Sequence, residues 1–202
     1  RYDYIVFPNI FSNNQKNEER LDINEIIKII KKDKRSKKHF NEKILNSKEK
    51  LSMKQLTEYN RVSGYLNKIF NRLNETYFEN ALTKPVITIM STPRAYGHVS
   101  VYEVWLSEEK GRRELNIGAG TLNRPIENVV ATMLHEMVHI YCMENGIKDT
   151  SRGGAYHNKR FKEEAERRDL IISYDSRIGF SITQPSDKLI EWCINEELEE
   201  IK

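Results

Sequence analysis

The stretch that most constrains this chain is the apolar run Val129–Gly146, because it contains the pattern H-E-x-x-H. Its apolar residues recur at helical spacing, and the Asn-Gly pair that closes it is a typical helix end. On such a helix His135 and His139 share one face, with Cβ atoms about 5–6 Å apart. Two imidazoles at this spacing can bind one metal ion, with Glu136 beside it as a general base. The stretch therefore predicts a zinc-binding helix.

A catalytic zinc ion needs a third protein ligand and an open position for water. Cys142 lies on the same helical stripe, but its seven-residue separation from His135 corresponds to about 10.5 Å of rise. We therefore interpret Cys142 as a packed core thiol. Cys142 and Asn145 also exclude the longer metzincin pattern, which requires Gly and His at these positions.

Several other side chains are candidates for the third ligand. Glu163 or Glu164 would give a site of two histidines and one glutamate. His157, predicted as the first residue of the next helix, would give a three-histidine site. The remaining histidines, His39 and His98, are interpreted as ordinary loop or surface residues.

The rest of the chain predicts an α+β fold. Hydrophobic periodicity indicates a long helix after Ser52. Short β-branched or alternating runs predict strands, followed by a helix after the H-E-x-x-H segment and an acidic C-terminal helix. The predicted strands are Val86–Met90, Gly97–Leu106, Glu114–Ile117 and a strand–turn–strand over Ile171–Thr183. The predicted segments are an N-terminal extension with a basic helical part (1–50), a domain with a small, mostly antiparallel sheet (51–185) and an acidic helix or tail (186–202).

The segment before the H-E-x-x-H helix carries helix-start signals. We expect Asn123 or Arg124 to cap the helix, with Pro125 in its first turn, where a missing N–H costs little. The strand Glu114–Ile117 then leads directly into the helix and places a sheet edge beside the metal. Such an edge can hold an extended substrate by main-chain pairing.

Composition narrows the classes of protein that this chain can represent. At 202 residues, one domain plus extensions is expected. The two cysteines, Cys142 and Cys193, are too few for a disulfide scaffold or a four-cysteine zinc ribbon. No run approaches the ~18 apolar residues of a membrane span, and no signal pattern opens the sequence. We expect a cytoplasmic protein with no membrane partner.

Positive charge is concentrated in one segment. The net charge is only +3, yet Lys28–Lys50 contains ten Lys or Arg residues and three acids. Cations suit a helix C-terminus, but such a run can also neutralise the phosphates of a nucleic acid. Because the run lacks interleaved aromatic residues that would stack on bases, we favour a solvated surface, with nucleic-acid binding as the alternative.

Five stretches resemble the SprT-like/Spartan family of zinc metallopeptidases: Phe70–Leu82, Ala95–Gly97, Glu114–Ile117, Leu134–Tyr141 and His157–Ala165. The last stretch is similar to that family's H-G-x-x-F element, with Asn158 in place of the glycine. The resemblance runs from about Leu51 to Pro185 and implies a zincin-like minimal metallopeptidase fold. Many members carry a C-terminal four-cysteine zinc ribbon associated with DNA contact. Two cysteines cannot form that ribbon, so DNA binding is not carried over.

The resemblance also implies the site residues. In that family the two motif histidines and the histidine of the H-G-x-x-F element bind zinc, while the motif glutamate is catalytic. On this chain, His135, His139 and His157 would bind Zn²⁺ and Glu136 would act as the general base. The implied activity is zinc-dependent hydrolysis of a protein or peptide substrate, with DNA-associated proteins as one substrate class.

Two roles around this site stay open at the level of sequence. The donor that stabilises the tetrahedral oxyanion can be Tyr96, Tyr156 or Arg152, and each is equally suited to a structural role. Asp149 can orient a zinc-binding histidine or cap its own loop, and the composition of that loop favours the cap.

Two rival functions also follow from the sequence. The first is a non-catalytic, zinc-containing module that binds DNA or protein. The basic segment Lys28–Lys50 favours this interpretation. Its metal site would be closed by a fourth protein ligand. The second is a narrow regulatory peptidase that cleaves a single partner, such as a repressor.

Overall fold

The computed structural model describes residues 4–8, 59–107 and 109–201. The described residues 4–8, 62–107 and 109–201 belong to one compact unit. The basic segment Lys28–Lys50, His39 and the helix start at Ser52 lie outside the described residues. No helix within the described ranges is long and apolar enough to cross a membrane.

The described residues contain four helices and ten strands, which confirms the α+β class. In chain order they are β1 (Tyr4–Pro8), α1 (residues 59–78), β2 (Val86–Met90), β3 (Ala95–Ser100), β4 (Trp105–Ser107), β5 (Lys110–Arg112), β6 (Glu114–Gly118), α2 (Ile126–Glu144), β7 (Thr150–Ser151), β8 (Tyr156–His157), α3 (Lys159–Glu166), β9 (Leu170–Asp175), β10 (Gly179–Pro185) and α4 (Asp187–Asn195). A single 3-10 turn, Ala119–Thr121, lies between β6 and α2.

The strands form two small mixed sheets and a separate hairpin. In the first sheet the order is β1-β3-β6-β2. Strand β6 runs antiparallel to β3 and parallel to β2. In the second sheet the order is β7-β8-β10-β9, with β8 and β10 parallel. Strands β4 and β5 pair only with each other in this part of the chain. Helix α2 contacts both four-stranded sheets.

Strand β6 does not provide the free edge that the sequence predicted. It pairs with β2 on one side and with β3 on the other, so its main-chain groups already have partners. The 3-10 turn also separates it from α2. The predicted substrate edge at Glu114–Ile117 is therefore wrong, because β6 inserts between two strands that precede it in the chain.

The strand predicted over Gly97–Leu106 is also divided in two. Strand β3 begins at Ala95 and ends at Ser100. There the Ser100 hydroxyl donates to the carbonyl of Tyr102, and Arg113 donates to the carbonyl of Val101. These hydrogen bonds stabilise a turn, and the chain resumes as β4 in the separate hairpin.

Helix α2 lies at the centre of the core. Fourteen of its residues are buried, including Val129, Val130, Met133 and Leu134 at its N-terminal half. Helix α1 contributes apolar residues at the predicted spacing to the same hydrophobic cluster: Leu66, Ile69, Phe70 and Leu73. Enclosure on all sides fixes the direction of the polar side chains that α2 carries.

The start of α2 differs from the predicted cap. Pro125 occupies the N-cap position, and no side chain caps the helix there. Arg124 instead donates from Nε to the carbonyl of Thr121 and from Nη2 to the hydroxyl of Thr132. These bonds tie the 3-10 turn to the second turn of α2.

The acidic C-terminal segment belongs to the same compact unit. Helix α4 is capped by Ser186 and buries Leu189 and Cys193. After the helix, Glu196 accepts two hydrogen bonds from Arg72 of α1, at its side chain and at its carbonyl, both at 2.7 Å. The segment is therefore held by burial and by a polar contact.

Candidate metal centre

Three histidine side chains converge in the core. The Nε2 atom of His135 lies 3.2 Å from that of His139 and 3.2 Å from that of His157, and the last two are 3.0 Å apart. All three residues are fully buried. Nitrogen ligands about 2.0–2.1 Å from a tetrahedral zinc ion lie about 3.3 Å from one another. The triangle of Nε2 atoms therefore fits one zinc ion with small adjustments.

Two elements hold these ligands in place. His135 and His139 lie one turn apart on α2, as the motif predicted. His157 does not open a helix. It lies on β8, where its N–H donates to the carbonyl of Ile178 at 3.0 Å and it pairs with Gly179 of β10. A Cβ atom at Gly179 would lie 2.1 Å from the His157 carbonyl oxygen, so only glycine permits this pairing.

The helix predicted to carry the third ligand starts after it. Asn158 is the N-cap of α3, and its Oδ1 accepts hydrogen bonds from the N–H groups of Arg160 and Phe161. Asparagine is a favoured N-cap residue because its side chain satisfies N–H groups that the helix leaves unpaired. The residue that replaces the family's glycine thus has a local structural role.

Asp149 and Thr183 contact the Nδ1 atoms of two of the candidate ligands. Asp149 Oδ2 lies 2.5 Å from Nδ1 of His139. The carboxylate accepts a hydrogen bond from Nδ1–H, and the lone pair of Nε2 then faces the other two rings. Nδ1 of His135 lies 2.8 Å from the hydroxyl of Thr183, and this hydroxyl donates to the carbonyl of Ser181. Both contacts direct Nε2 towards the other rings, which is the orientation that a metal site requires.

The sequence favoured a loop cap for Asp149, and the structure overturns that preference. Asp149 is buried, and its carboxylate is directed at His139. Thr183 was not predicted, because nothing in its local sequence marks it.

The aromatic ring of Phe161 also packs against the three histidines. Its centroid lies 4.5 Å from the ring centroids of His135 and His139 and 4.7 Å from that of His157.

Burial lowers the pKa of two of the three histidines. Desolvation, with smaller contributions from His139 and His157, holds the pKa of His135 well below its ordinary value. Desolvation and the nearby His139 likewise lower the pKa of His157. Both imidazoles are therefore neutral, which is the form that binds a metal ion.

Glu136 is buried beside the histidines without a hydrogen-bond partner. Its side chain is fully buried, and neither carboxylate oxygen has a partner among the residues that the structure describes. Desolvation, and then the charge of Asp149, raise the pKa of Glu136 well above its ordinary value. An isolated buried carboxyl group is costly, and a neighbouring divalent cation with its water would compensate for that cost. The carboxyl group of Glu136, which has no partner among the described residues, is thus compatible with a metal ion at the three histidines.

The backbone of β3 passes directly over Glu136 at Gly97. A Cβ atom there would lie 2.9 Å from the carbonyl oxygen of Asn116, 3.1 Å from Cγ2 of Thr132 and 3.4 Å from Oε1 of Glu136. Such distances leave no room for a side chain, so the glycine permits β3 to approach the face of α2 that carries Glu136. The A-Y-G stretch noted in the sequence contains this residue.

The alternative ligands have other roles. Oε1 of Glu164 binds Arg167 at 2.7 Å and its Oε2 binds Arg168 at 2.8 Å. Glu163 is exposed on α3. Cys142 is buried, and desolvation raises the pKa of its thiol, as expected for a core cysteine. These positions favour the three-histidine set.

His98 and the three candidates for the oxyanion donor each contact side chains other than the three histidines. His98, on β3, is buried with its Nε2 atom 3.6 Å from Oε1 of Glu114. The hydroxyl of Tyr156 lies 3.3 Å from that of Tyr174, and Arg152 stacks 4.5 Å from the centroid of the Tyr156 ring. The ring of Tyr96 lies under the guanidinium of Arg124. The oxyanion donor stays open among Tyr96, Tyr156 and Arg152.

Replacing Asp149 is expected to weaken zinc binding. Without the carboxylate, His139 loses the group that fixes its tautomer, so Asp149→Ala should raise the zinc dissociation constant about 10–100-fold. Asp149→Asn keeps an acceptor oxygen and should show a smaller loss. Competition with a chromophoric chelator measures both, and Asp175→Ala at the end of β9 is the matched control. Zinc affinity equal to wild type in Asp149→Ala would show that the contact does not support the metal.

Comparisons with known proteins do not extend these observations. A scan against protein-family models, a search of curated proteins and a search of solved structures each gave no match. The resemblance to the SprT-like family therefore stays a prediction based on sequence motifs.

Proposed function

We propose that this chain is a zinc-dependent endopeptidase in which His135, His139 and His157 bind the metal and Glu136 is the general base. One observation carries the proposal: three buried Nε2 atoms converge beside a buried carboxylate that has no hydrogen-bond partner among the described residues. A structural zinc site would need a fourth protein ligand. In the part of the chain that the structure describes, the metal-ligating group consists of these three histidines.

The chain's own residues would perform the acid–base steps. When bound, zinc supplies a Lewis acid that polarises the scissile carbonyl and acidifies a water molecule. Glu136 accepts the proton of the attacking water and transfers it to the amine that leaves.

The surroundings of the ligands would keep the site rigid. Asp149 and Thr183 orient two imidazoles, and Phe161 packs against all three rings. Rigid ligands hold the metal at a fixed distance from Glu136, which catalysis by proximity requires. The likeness of the motifs to the SprT-like family supports the same reaction class. The action on DNA-associated proteins rests on that likeness alone and stays a prediction.

Metal dependence tests the proposal. Zinc-loaded protein should cleave a disordered protein such as casein, a chelator should abolish cleavage, and added zinc should restore it. Cleavage products are followed by mass spectrometry. Cleavage that persists after zinc has been removed to below a few per cent occupancy would assign the activity to another site or to a contaminant.

A further inference from the structure

Strand β1 occupies the outer edge of β3. Its backbone runs antiparallel to β3, with Tyr4 opposite Ser100, Ile5 opposite Val99 and Val6 opposite His98. The other edge of β3 pairs with β6. Strand β3 therefore pairs with β1 on one side and with β6 on the other, and His98 and Val99 have partners on both sides.

Strand β3 also passes close to Glu136. Gly97 of β3 lies against the carboxylate of Glu136. Strand β10 contacts the histidines directly, because the Thr183 hydroxyl lies 2.8 Å from Nδ1 of His135 and Gly179 pairs with His157. Strand β1 contacts β10 as well as β3. It thus contacts both the strand that passes Glu136 and the strand that contacts His135 and His157.

We propose that β1 is an autoinhibitory strand that takes the place of an extended peptide substrate at the edge of β3. This inference rests on the proposed peptidase function. A substrate would bind as a single extended segment, pair antiparallel with β3 through main-chain hydrogen bonds, and thereby bring one peptide bond past Gly97 to Glu136. Because β1 uses the same edge, substrate binds only when β1 has left it.

The pairing of β1 is irregular at the point nearest Glu136. Its register shifts between Val6 and Pro8, and Pro8 lies opposite Ala95. The shift falls beside Gly97, and a proline has no N–H to donate to the ladder. A regular substrate would continue the pairing through this point, whereas β1 departs from it. Strand β1 can therefore occupy the edge of β3 without placing a regularly paired peptide bond beside Gly97.

In such a competition the apparent dissociation constant for substrate equals the intrinsic constant divided by the fraction of molecules in which the edge is free. If β1 is docked in about 90–99% of molecules, the apparent affinity for substrate falls about 10–100-fold. Release of β1 should therefore increase substrate binding and cleavage by the same factor, up to saturation.

The first test breaks the main-chain pairing of β1. Consecutive residues in a strand direct their N–H groups to opposite sides, so Ile5→Pro/Val6→Pro removes the donor that faces β3. Ile5→Thr/Val6→Thr retains both N–H groups and is the matched control. The probe is a fluorescein-labelled peptide with the sequence of residues 1–10, added to each zinc-loaded protein in a Glu136→Gln background. We expect the proline variant to bind it at least tenfold more tightly than the threonine variant, with equal binding contradicting the inference.

The second test keeps the strand intact and locks it in place. Tyr4 and Ser100 are directly opposed, so Tyr4→Cys/Ser100→Cys can form a disulfide between β1 and β3. The oxidised protein should cleave casein at least tenfold more slowly than the same protein after reduction with a phosphine, and the Ser100→Cys single variant should show no such difference. Equal rates in both redox states, with the disulfide verified by mass spectrometry, would overturn the autoinhibitory role. If wild type does not cleave casein at all, but the proline and threonine variants still differ in peptide binding, the peptidase function alone is refuted.

Discussion

Replacing Glu136 with glutamine is expected to leave zinc bound and to slow peptide cleavage about 10²–10⁴-fold. The amide of glutamine cannot accept the proton of the attacking water, whereas the three imidazoles that bind zinc are unchanged. The measurement combines zinc content by mass spectrometry with initial rates of casein cleavage. Because burial of a carboxyl group without a partner is costly, the metal-free variant should unfold at no lower temperature than metal-free wild type.

Glu144→Gln is the matched control for this variant. It is the same substitution on the same helix, two turns after Glu136, where the side chain is exposed and accepts a hydrogen bond from the N–H of Thr83. Cleavage should remain close to the wild-type rate. If Glu136→Gln, with full zinc content, cleaves casein as fast as Glu144→Gln, Glu136 is not the general base.

Replacing His157 with alanine is expected to remove zinc from the protein. Two histidines on α2 remain, but two ligands on one helix hold a zinc ion much more weakly than three from two elements. Zinc content after dialysis should fall from about one ion per chain to less than a tenth. Cleavage should be lost with the metal.

Glu164→Ala separates this model from the glutamate alternative. Glu164 is engaged with Arg167 and Arg168, so its loss should leave zinc content unchanged. It should instead cost about 3–5 kcal/mol of unfolding free energy, because the buried guanidinium of Arg168 loses its carboxylate. Urea denaturation measures this change. Zinc lost from Glu164→Ala and retained by His157→Ala would refute the three-histidine set.

Local sequence was sufficient for the part of the site that lies on one helix. The positions of His135, Glu136 and His139 follow from helical periodicity, which depends on residues only three or four positions apart. The roles of Asp149 and Thr183 could not be predicted in the same way. Both depend on strands and loops that meet α2 only in the folded chain, and burial decides that Asp149 contacts His139 rather than its own loop.

The arrangement of the strands was the least predictable part of the fold. The strand runs were mostly identified, but the insertion of β6 between β2 and β3 is a long-range pairing that leaves no local signal. The same holds for His157, which lies on β8 because Gly179 of β10 permits a close backbone approach. The helical spacing of His157, Phe161 and Ala165 favoured a helix start at His157, whereas the helix begins after its Asn158 cap.

The most direct measurement of the central claim is a crystal structure of the zinc-loaded Glu136→Gln protein, with anomalous diffraction recorded at the zinc edge. We predict one anomalous peak about 2.0–2.1 Å from the Nε2 atoms of His135, His139 and His157, with a solvent oxygen as the fourth ligand. A peak elsewhere, or a fourth protein ligand that closes the coordination sphere, would contradict a catalytic zinc site.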